Sequence, residues 1–295
     1  MKRTAFIAIV GRPNVGKSTL MNSVIGEKVA IVSSKPQTTR NRIIGIHTVG
    51  DDQFVFLDTP GIHKPQNALG EYMVKSANDS MKDADALVLV TDCSGRITNV
   101  EKDIISFLKK SGMPSILVLN KTDLVDREQI AQAISKYAGM HDFDAFIPMS
   151  AKKGNMTKDF VAECSKFMQE SEWFFPDDII TDQPERQLAS EVIREKILKT
   201  LNKEIPHGTA VVIEEFKDEG TIIRIRAEIF CEKASHKGII VGKNGASLKL
   251  IGTYAREDLE KFFGVKVYLN LWVKVKENWR ESANVIGNFG YKNEQ

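Results

Sequence analysis

"GRPNVGKST", residues 11–19, decides the reading of the chain. Gly11, four residues, then Gly16-Lys17-Ser18 are the frame of a phosphate-binding loop. Its glycines let backbone amides wrap an anion, Lys17 brings positive charge to the outer phosphates, and Ser18 offers a hydroxyl to magnesium. The stretch follows the apolar run "AFIAIV" and opens "STLMNSVI", which Gly26 can stop. Strand, loop and helix are the context this motif needs. Residues Gly11, Arg12, Pro13, Asn14, Val15, Gly16, Lys17, Ser18 and Thr19 thus form one wall of an expected nucleotide site, with the Arg12 side chain read as solvated. Asn14 is open to two readings here, because Pro13-Asn14 is also good turn chemistry.

The frame alone does not say which nucleotide. "NKTD", Asn120 to Asp123, ends the apolar run "SILVLN". An aspartate accepts two hydrogen bonds from the N1 and 2-amino edge of guanine, where adenine has no such donors, while the Lys121 stem covers the ring. The nucleotide is therefore expected to be GTP or GDP. After the next strand, Ser150, Ala151 and Lys152 of "MSAK" are placed to complete the base pocket through backbone contacts. "DTPG" ends the run "QFVFLD": Asp58 is expected to hold magnesium through water, and the Gly61 amide to sense the γ-phosphate, with Thr59, Pro60 and Ile62 beside them. In "KPQTTR", either Thr38 or Thr39 is suited to cap the magnesium, and Thr39, next to Arg40, is favoured. The expected metal set is Ser18, Thr39 and Asp58.

Farther out, β-branched runs alternate with amphipathic segments such as "VEKDIISFLKK", the rhythm of an α/β fold with a largely parallel sheet and helices on both faces. Residues 1–172 are assigned to this domain. "SEWFFPDDIITDQPER" mixes Pro, Asp and aromatics without periodicity, and 173–186 is read as a linker. From 187 to 295 the pattern becomes a smaller α+β unit: a helix "LASEVIREKILKTL", strands "AVVIEEF" and "TIIRIRAEIF" around "KDEG", a helix ending "HKGIIV", the loop "GKNG", a long helix, and the strand "VKVYLNLWVKV". Ile239, Ile240 and Val241 are expected to pack the helix that leads into the loop.

In "GKNG", glycines at 242 and 245 allow phosphates to approach the backbone, and Lys243 and Asn244 sit between them; Lys237 and the nearby Lys233 and Lys249 add charge. A second G-x-x-G, "GNFG" at 287–290, lacks a flanking cation and a following helix and is read as a C-terminal turn. Trp272, on the polar side of the last strand, is suited either to stack a base or to be covered by "NWRESANVIGNFG"; cover is the expectation.

Composition agrees with a globular protein: 295 residues, 42% hydrophobic and 27% charged, with a net charge of +2. Residues 186–295 hold 19 Lys and Arg against 15 Asp and Glu, a surplus of +4 that suits a polyanionic partner. No apolar run approaches the length of a membrane span, and the opening "MKRTAFIAIVG" is too short for a secretory leader, so a cytoplasmic monomer without a transmembrane segment is expected. Cys93, Cys164 and Cys231 show no metal spacing and read as free thiols.

The nucleotide motifs resemble those of translation-factor-like GTPases. That class orients its attacking water with a glutamine after the D-x-x-G glycine, where this chain has Ile62, which implies slow intrinsic hydrolysis; His63 reads as a surface residue rather than a substitute base. GTPases with an apolar residue there often carry an asparagine at the position of Asn14 that helps bind potassium. The whole chain, including "QTTR", "IREKI" and "LWVKVK", resembles the Era-like GTPases with a C-terminal, type II KH domain. The resemblance implies Lys17, Thr39, Gly61 and Asn14 in catalysis, RNA binding through Lys237 and Gly242 to Gly245, and binding of the 3′ end of small-subunit ribosomal RNA during maturation of that subunit. It also implies a fraction at the inner membrane face. A phosphotransferase with a C-terminal lid, or a membrane-associated or tRNA-modifying GTPase whose appended domain serves docking, are the rival readings.

Overall fold

The computed structural model describes residues 1–93, 96–202 and 204–292. The chain forms two units, one of residues 1–64 and 73–182, the other of residues 65–72 and from 183 onward.

In the first unit, β1 (Arg3–Val10) runs through the phosphate loop into α1 (Lys17–Ile25). There follow β2 (Ile43–Val49), β3 (Asp52–Asp58), α2 (Ala68–Lys82, of which residues 73–82 belong to this unit), β4 (Ala86–Asp92), α3 (Asn99–Ser111), β5 (Ser115–Asn120), α4 (Arg127–Ala138), β6 (Ala145–Pro148), α5 (Thr157–Cys164) and the short β7 (Gln169–Glu170). The sheet order is β2-β3-β1-β4-β5-β6, with β7 against β1. From β3 to β6 all neighbours are parallel, while "IIGIHTV" forms β2 as an antiparallel edge.

The central strands are apolar on both faces because both are covered. Ile7 and Ile9 of β1 join Leu20 of α1 and Phe160 of α5 on one side; Ala8 and Val10 join Ile104 and Leu108 of α3 and Tyr137 of α4 on the other. This period-two split leaves the ends of β1, β3 and β5 to carry ligand-binding loops at one edge of the sheet.

The segment read as linker begins as a strap. Gln53 of β3 accepts from the Phe174 and Phe175 amides at 3.0 and 3.1 Å and donates to the Phe175 carbonyl at 2.8 Å. The Ile46 amide donates to the Ile180 carbonyl at 2.8 Å, and the Thr181 hydroxyl to the Ile44 carbonyl at 2.7 Å. Each contact rests on one side chain or amide, so no periodicity marks it in the sequence.

The second unit comprises α6 (Glu185–Thr200), β8 (Thr209–Asp218), β9 (Ile222–Cys231), α7 (Ala234–Val241), α8 (Ala246–Phe263), β10 (Lys266–Val275) and α9 (Ala283–Asn288). Its sheet runs β10-β9-β8, with β8 and β9 antiparallel and β9 and β10 parallel. One sheet face, with Val211, Ile225, Ile229 and Val267, packs on Ile193 and Ile197 of α6, Ile240 of α7 and Leu259 of α8. The order α-β-β-α-α-β is that of a type II KH domain.

Two expectations for this unit are corrected. Trp272 is not covered: it is 57% exposed. The C-terminal segment instead buries its own Trp279 completely, with the indole N–H donating to the Gly208 carbonyl at 3.0 Å, and lays Phe289 on Phe230 with ring centroids 4.5 Å apart. Ile239 is half-exposed, since the three-residue run Ile239 to Val241 turns through most of a helical turn and only Ile240 can face the core squarely. "GNFG" caps α9, with Gly290 at φ 90°. Among the described residues no helix is long and apolar enough to cross a membrane.

Candidate functional site

The ends of β1, β3 and β5 converge on a cavity of about 510 Å³, within the range of ligand pockets. Pro13, Asn14, Gly16, Lys17, Ser18 and Thr19 line one side, Thr38, Thr39 and Gly61 the middle, and Asn120, Lys121, Asp123, Ser150 and Lys152 the far end. Five segments far apart in sequence thus meet at one site, and Ile31 to Ser34, Gln37 and Leu124 complete its walls. Sequence reasoning missed those last residues. The loop after α1 carries no motif, and its shape comes from Asn22, whose side chain binds the Val29 and Ala30 amides and the Ala30 carbonyl.

The phosphate loop is built around positions where only glycine serves. A Cβ on Gly11 would stand 2.3 Å from the Val90 carbonyl oxygen, and one on Gly16 2.2 Å from Asn120 Nδ2; both lie at positive φ. Lys17 is buried and donates to the Gly11 and Arg12 carbonyls at 3.1 and 3.2 Å. Burial pulls its pKa down to about 8, against the opposing pull of Asp58. Asp58, with no exposed surface, is pushed up by burial to about 6. Ser18 donates to Asp58 Oδ2 at 2.6 Å, its Oγ lies 2.9 Å from Thr39 Oγ1, and Thr39 lies 3.3 Å from the same carboxylate oxygen.

Three hard oxygens therefore sit together on Ser18, Thr39 and Asp58, and Asp58 Oδ1 is buried without a hydrogen bond. That donor set suits magnesium. Thr38 is turned away, donating to the Lys35 carbonyl at 2.7 Å, so of the two threonines only Thr39 reaches the cluster.

Gly61 rests on the phosphate loop: a Cβ there would stand 2.8 Å from Pro13, and the Ile62 amide donates to the Gly11 carbonyl at 3.3 Å. Ile62 packs into the apolar cluster under α3 and α4. Thr59 is buried and donates to the Ile9 carbonyl at 2.9 Å, so its hydroxyl ties β3 to β1. His63, read as a surface residue, is half-buried, and its Nδ1 lies 2.8 Å from the Gly61 carbonyl.

Arg12 also differs from expectation. It is not solvated: its guanidinium pairs with Asp92 at 2.7 Å and with the fully buried Glu101 at 3.0 Å. The start of the phosphate loop is thereby tied to the end of β4 and the first turn of α3, because a forked cation can satisfy two carboxylates at once.

At the base end, Asn120 donates to the Val15 carbonyl at 2.7 Å and accepts from the Lys121 and Ala151 amides at 2.8 and 2.9 Å. Lys121 crosses the cavity to the Asn14 carbonyl at 2.6 Å, so its stem forms a wall. Asp123 remains exposed at the cavity mouth. The Ser150 and Ala151 amides, expected to contact the base, are taken by Asn155 at 2.5 Å and Asn120 at 2.9 Å, while Ser150 and Lys152 line the pocket.

In the second unit the loop at Gly242 to Gly245 connects α7 to α8. Gly242 (φ 73°) lies so close to Ser247 that a Cβ would stand 2.7 Å from the Ser247 Cβ, and Asn244 and Gly245 are also left-handed. Lys237, Lys243 and Asn244 are exposed. A groove of about 390 Å³ runs from Gly245 along Lys249, Gly252 and Arg256 of α8, floored by Leu269 and Leu271 of β10. These two leucines belong to the apolar alternation of β10 but are only half-buried, since they face this groove. An apolar floor beside a cationic rim and a glycine loop accepts unstacked bases with their phosphates.

The matches to known families divide the chain as the units do. A "50S ribosome-binding GTPase" family model matches residues 6–121, and a "KH domain" model matches residues 204–280. GTPase Era of Clostridioides difficile is 51% identical over 294 residues, 99% of each chain, and that of Clostridium kluyveri 50% identical over 293 residues, 99% of this chain and 100% of its own. A crystal structure of Era in complex with MgGDPNP and nucleotides 1506–1542 of 16S ribosomal RNA superimposes with a TM-score of 0.95 at 38% identity, covering 99% of both chains. Aquifex aeolicus Era bound to GDP and AlF4⁻ superimposes with a TM-score of 0.94 at 38% identity, covering 98% and 99%. With a guanine-nucleotide cavity at the sheet edge, a KH groove in the second unit and half-identity over its full length, the chain belongs to the Era family of GTP-binding, GTP-hydrolysing proteins.

Proposed function

We propose that the protein is a GTP-driven switch that binds the 3′ end of small-subunit ribosomal RNA through its KH groove and assists maturation of the small ribosomal subunit. The observation that carries this reading is the full-length agreement with a relative crystallised with 16S RNA, joined to a groove whose floor and rim suit single-stranded RNA. The GTPase family model is described by binding to the large subunit, but it covers residues 6–121 only and so says nothing of the RNA-binding unit.

Ser18, Thr39 and Asp58 would hold magnesium, and Lys17 with the amides of Asn14 to Ser18 would hold the phosphates. Bound magnesium supplies charge neutralisation at the β- and γ-phosphates. This chain's residues do the positioning: Asn120 braces the loop, Asp123 reads guanine, and the Gly61 and Thr39 segments respond to the γ-phosphate. With Ile62 packed inward, no side chain at that position orients a water, which makes intrinsic hydrolysis slow. Asn14 lines the cavity and is the residue assigned to potassium. The protein is expected to act as a cytoplasmic monomer, with a fraction peripheral at the inner membrane face.

RNA affinity measured in the GTP and GDP states tests the switch, and equal affinities would sink the coupling. Crosslinking to cellular RNA tests the partner: a map lacking the small-subunit 3′ end would remove it.

A further inference from the structure

We propose that the outer face of the β10-β9-β8 sheet, centred on Trp272 and Tyr268, is a second seat for single-stranded RNA that continues from the KH groove. The inference rests on the RNA-binding reading above and extends it to a surface on the other side of β10.

The geometry begins with β10 as an edge strand. Its residues alternate across the sheet, so Leu269 and Leu271 floor the groove while Tyr268 and Trp272 stand on the opposite face. Tyr268 is 53% exposed and Trp272 57%, the two large aromatics that the sheet leaves open. Four residues apart on a strand, they lie about 13 Å from each other, with the half-buried Asn270 between them. A strand leaving the groove need only pass one edge, whose outward backbone groups pair with no other strand among the described residues, to reach them.

The charge around the rings matches a polyanion. Arg224, opposite Tyr268 in the register, places its guanidinium 5.5 Å from that ring's centroid, and Arg226 lies opposite Asn270. Lys266 and Lys274 flank the pair along β10; Arg224 and Lys266 also pair with Glu219 and Glu260, at 3.1 and 3.8 Å, on exposed side chains that a phosphate can compete for. The carboxylate directly opposite Trp272, Glu228, is held by Lys274 at 2.5 Å, so no bare negative charge faces that indole. Aromatic faces set singly among cations suit bases, which stack one at a time on any exposed ring. They suit a protein partner less well, because the two rings are separated by Asn270 and bordered by charged groups instead of forming one apolar patch. The far end of the same sheet face is already closed by Phe289 on Phe230, which confines the open surface to the part nearest the groove.

The test uses the full chain in the GTP state and RNA of the sequence found with the relative, 16S nucleotides 1506–1542, together with fragments shortened stepwise from each end. Affinity should rise when the fragment outgrows the groove. Trp272→Ala should abolish that gain, a loss of about 5- to 100-fold from stacking of one base, while fragments that only fill the groove bind as before. Trp272→Phe should restore most of it. Tryptophan fluorescence should be quenched by long fragments alone, and the quench should vanish in Trp272→Phe. If Trp272→Ala and Tyr268→Ala bind every length as the unaltered protein does, the proposal is overturned and the aromatic pair is left to protein docking. Failure of the underlying reading looks different: the unaltered protein would then bind none of the fragments.

Discussion

Asn120 Nδ2 donates to the Val15 carbonyl at 2.7 Å, so the residue that opens the guanine motif also closes the phosphate loop. The same atom fills the space above Gly16 that any larger residue would need. Asn120→Asp would set a carboxylate oxygen against that carbonyl and leave both without a proton. Loss of a buried hydrogen bond of this kind costs about 1–3 kcal/mol, and GDP affinity should fall at least tenfold with guanine still preferred. Asp123→Asn should do the reverse: at the exposed end of the cavity it leaves the fold alone and moves preference toward xanthine, whose 2-carbonyl accepts from an amide. Calorimetric titration with GDP and the xanthine analogue separates the two; equal selectivity in both variants would contradict these roles.

Two histidines give the first unit a pH dependence. Burial lowers the pKa of His47 on β2, and burial followed by Lys109 lowers that of His141, whose Nε2 lies 3.2 Å from Ser115 Oγ. The unfolded chain titrates near the ordinary value of about 6.5 and binds more protons below it. Stability is therefore complete above about pH 6.5 and declines as pH falls toward the folded values. Asp58, raised to about 6 in the nucleotide-free protein, slopes the other way, so the histidine contribution is read as a difference. Urea midpoints at pH 5.5 and 7.5 should lie closer together in His47→Gln and in His141→Gln than in the unaltered protein. Unchanged differences would show that neither imidazole is linked to folding.

What could be read in advance follows from how local each feature is. Phosphate loop, "DTPG" and "NKTD" each sit at a strand end, so chain order alone brought them to one sheet edge. Arg12 was misread because its partners, Asp92 and Glu101, lie some 80 to 90 residues away and nothing near Arg12 announces them. Trp272 was misread for a related reason. The C-terminal segment was expected to cover it, but which side chains that segment covers depends on where it lies: it stacks Phe289 on Phe230 and buries its own Trp279 instead. The strap at 173–182 escaped because single hydrogen bonds to Gln53 carry no pattern.

Helix α6 holds charge where its neighbours hold core. Arg194 is buried and forms a forked pair with Glu191, at 2.9 and 2.6 Å. Removing one partner of such a pair strands the other, at a cost of about 3–5 kcal/mol. Glu191→Ala should lower the urea midpoint of the second unit accordingly. Glu191→Ala combined with Arg194→Met should recover much of the loss, since no bare charge remains. A double variant as unstable as the single one would mean that the pair contributes through packing and not through charge compensation.

Asn14 has two roles that substitution can separate. It lines the cavity, where its side-chain oxygen is the proposed potassium ligand, and its Nδ2 donates to the Ser34 carbonyl at 2.9 Å, tying the phosphate loop to the loop beyond α1. Its φ of 64° is one that alanine adopts at a cost of about 1–2 kcal/mol and glycine does not. Asn14→Gly therefore removes both side-chain functions without strain, and Asn14→Asp keeps an oxygen while losing the donor. If the oxygen holds potassium, hydrolysis in Asn14→Gly should be equal in KCl and NaCl, and Asn14→Asp should retain stimulation by potassium, with GTP affinity little changed in either. Loss of stimulation in both variants alike would assign the effect to the Ser34 contact, and full stimulation in Asn14→Gly would return Asn14 to the role of a turn residue.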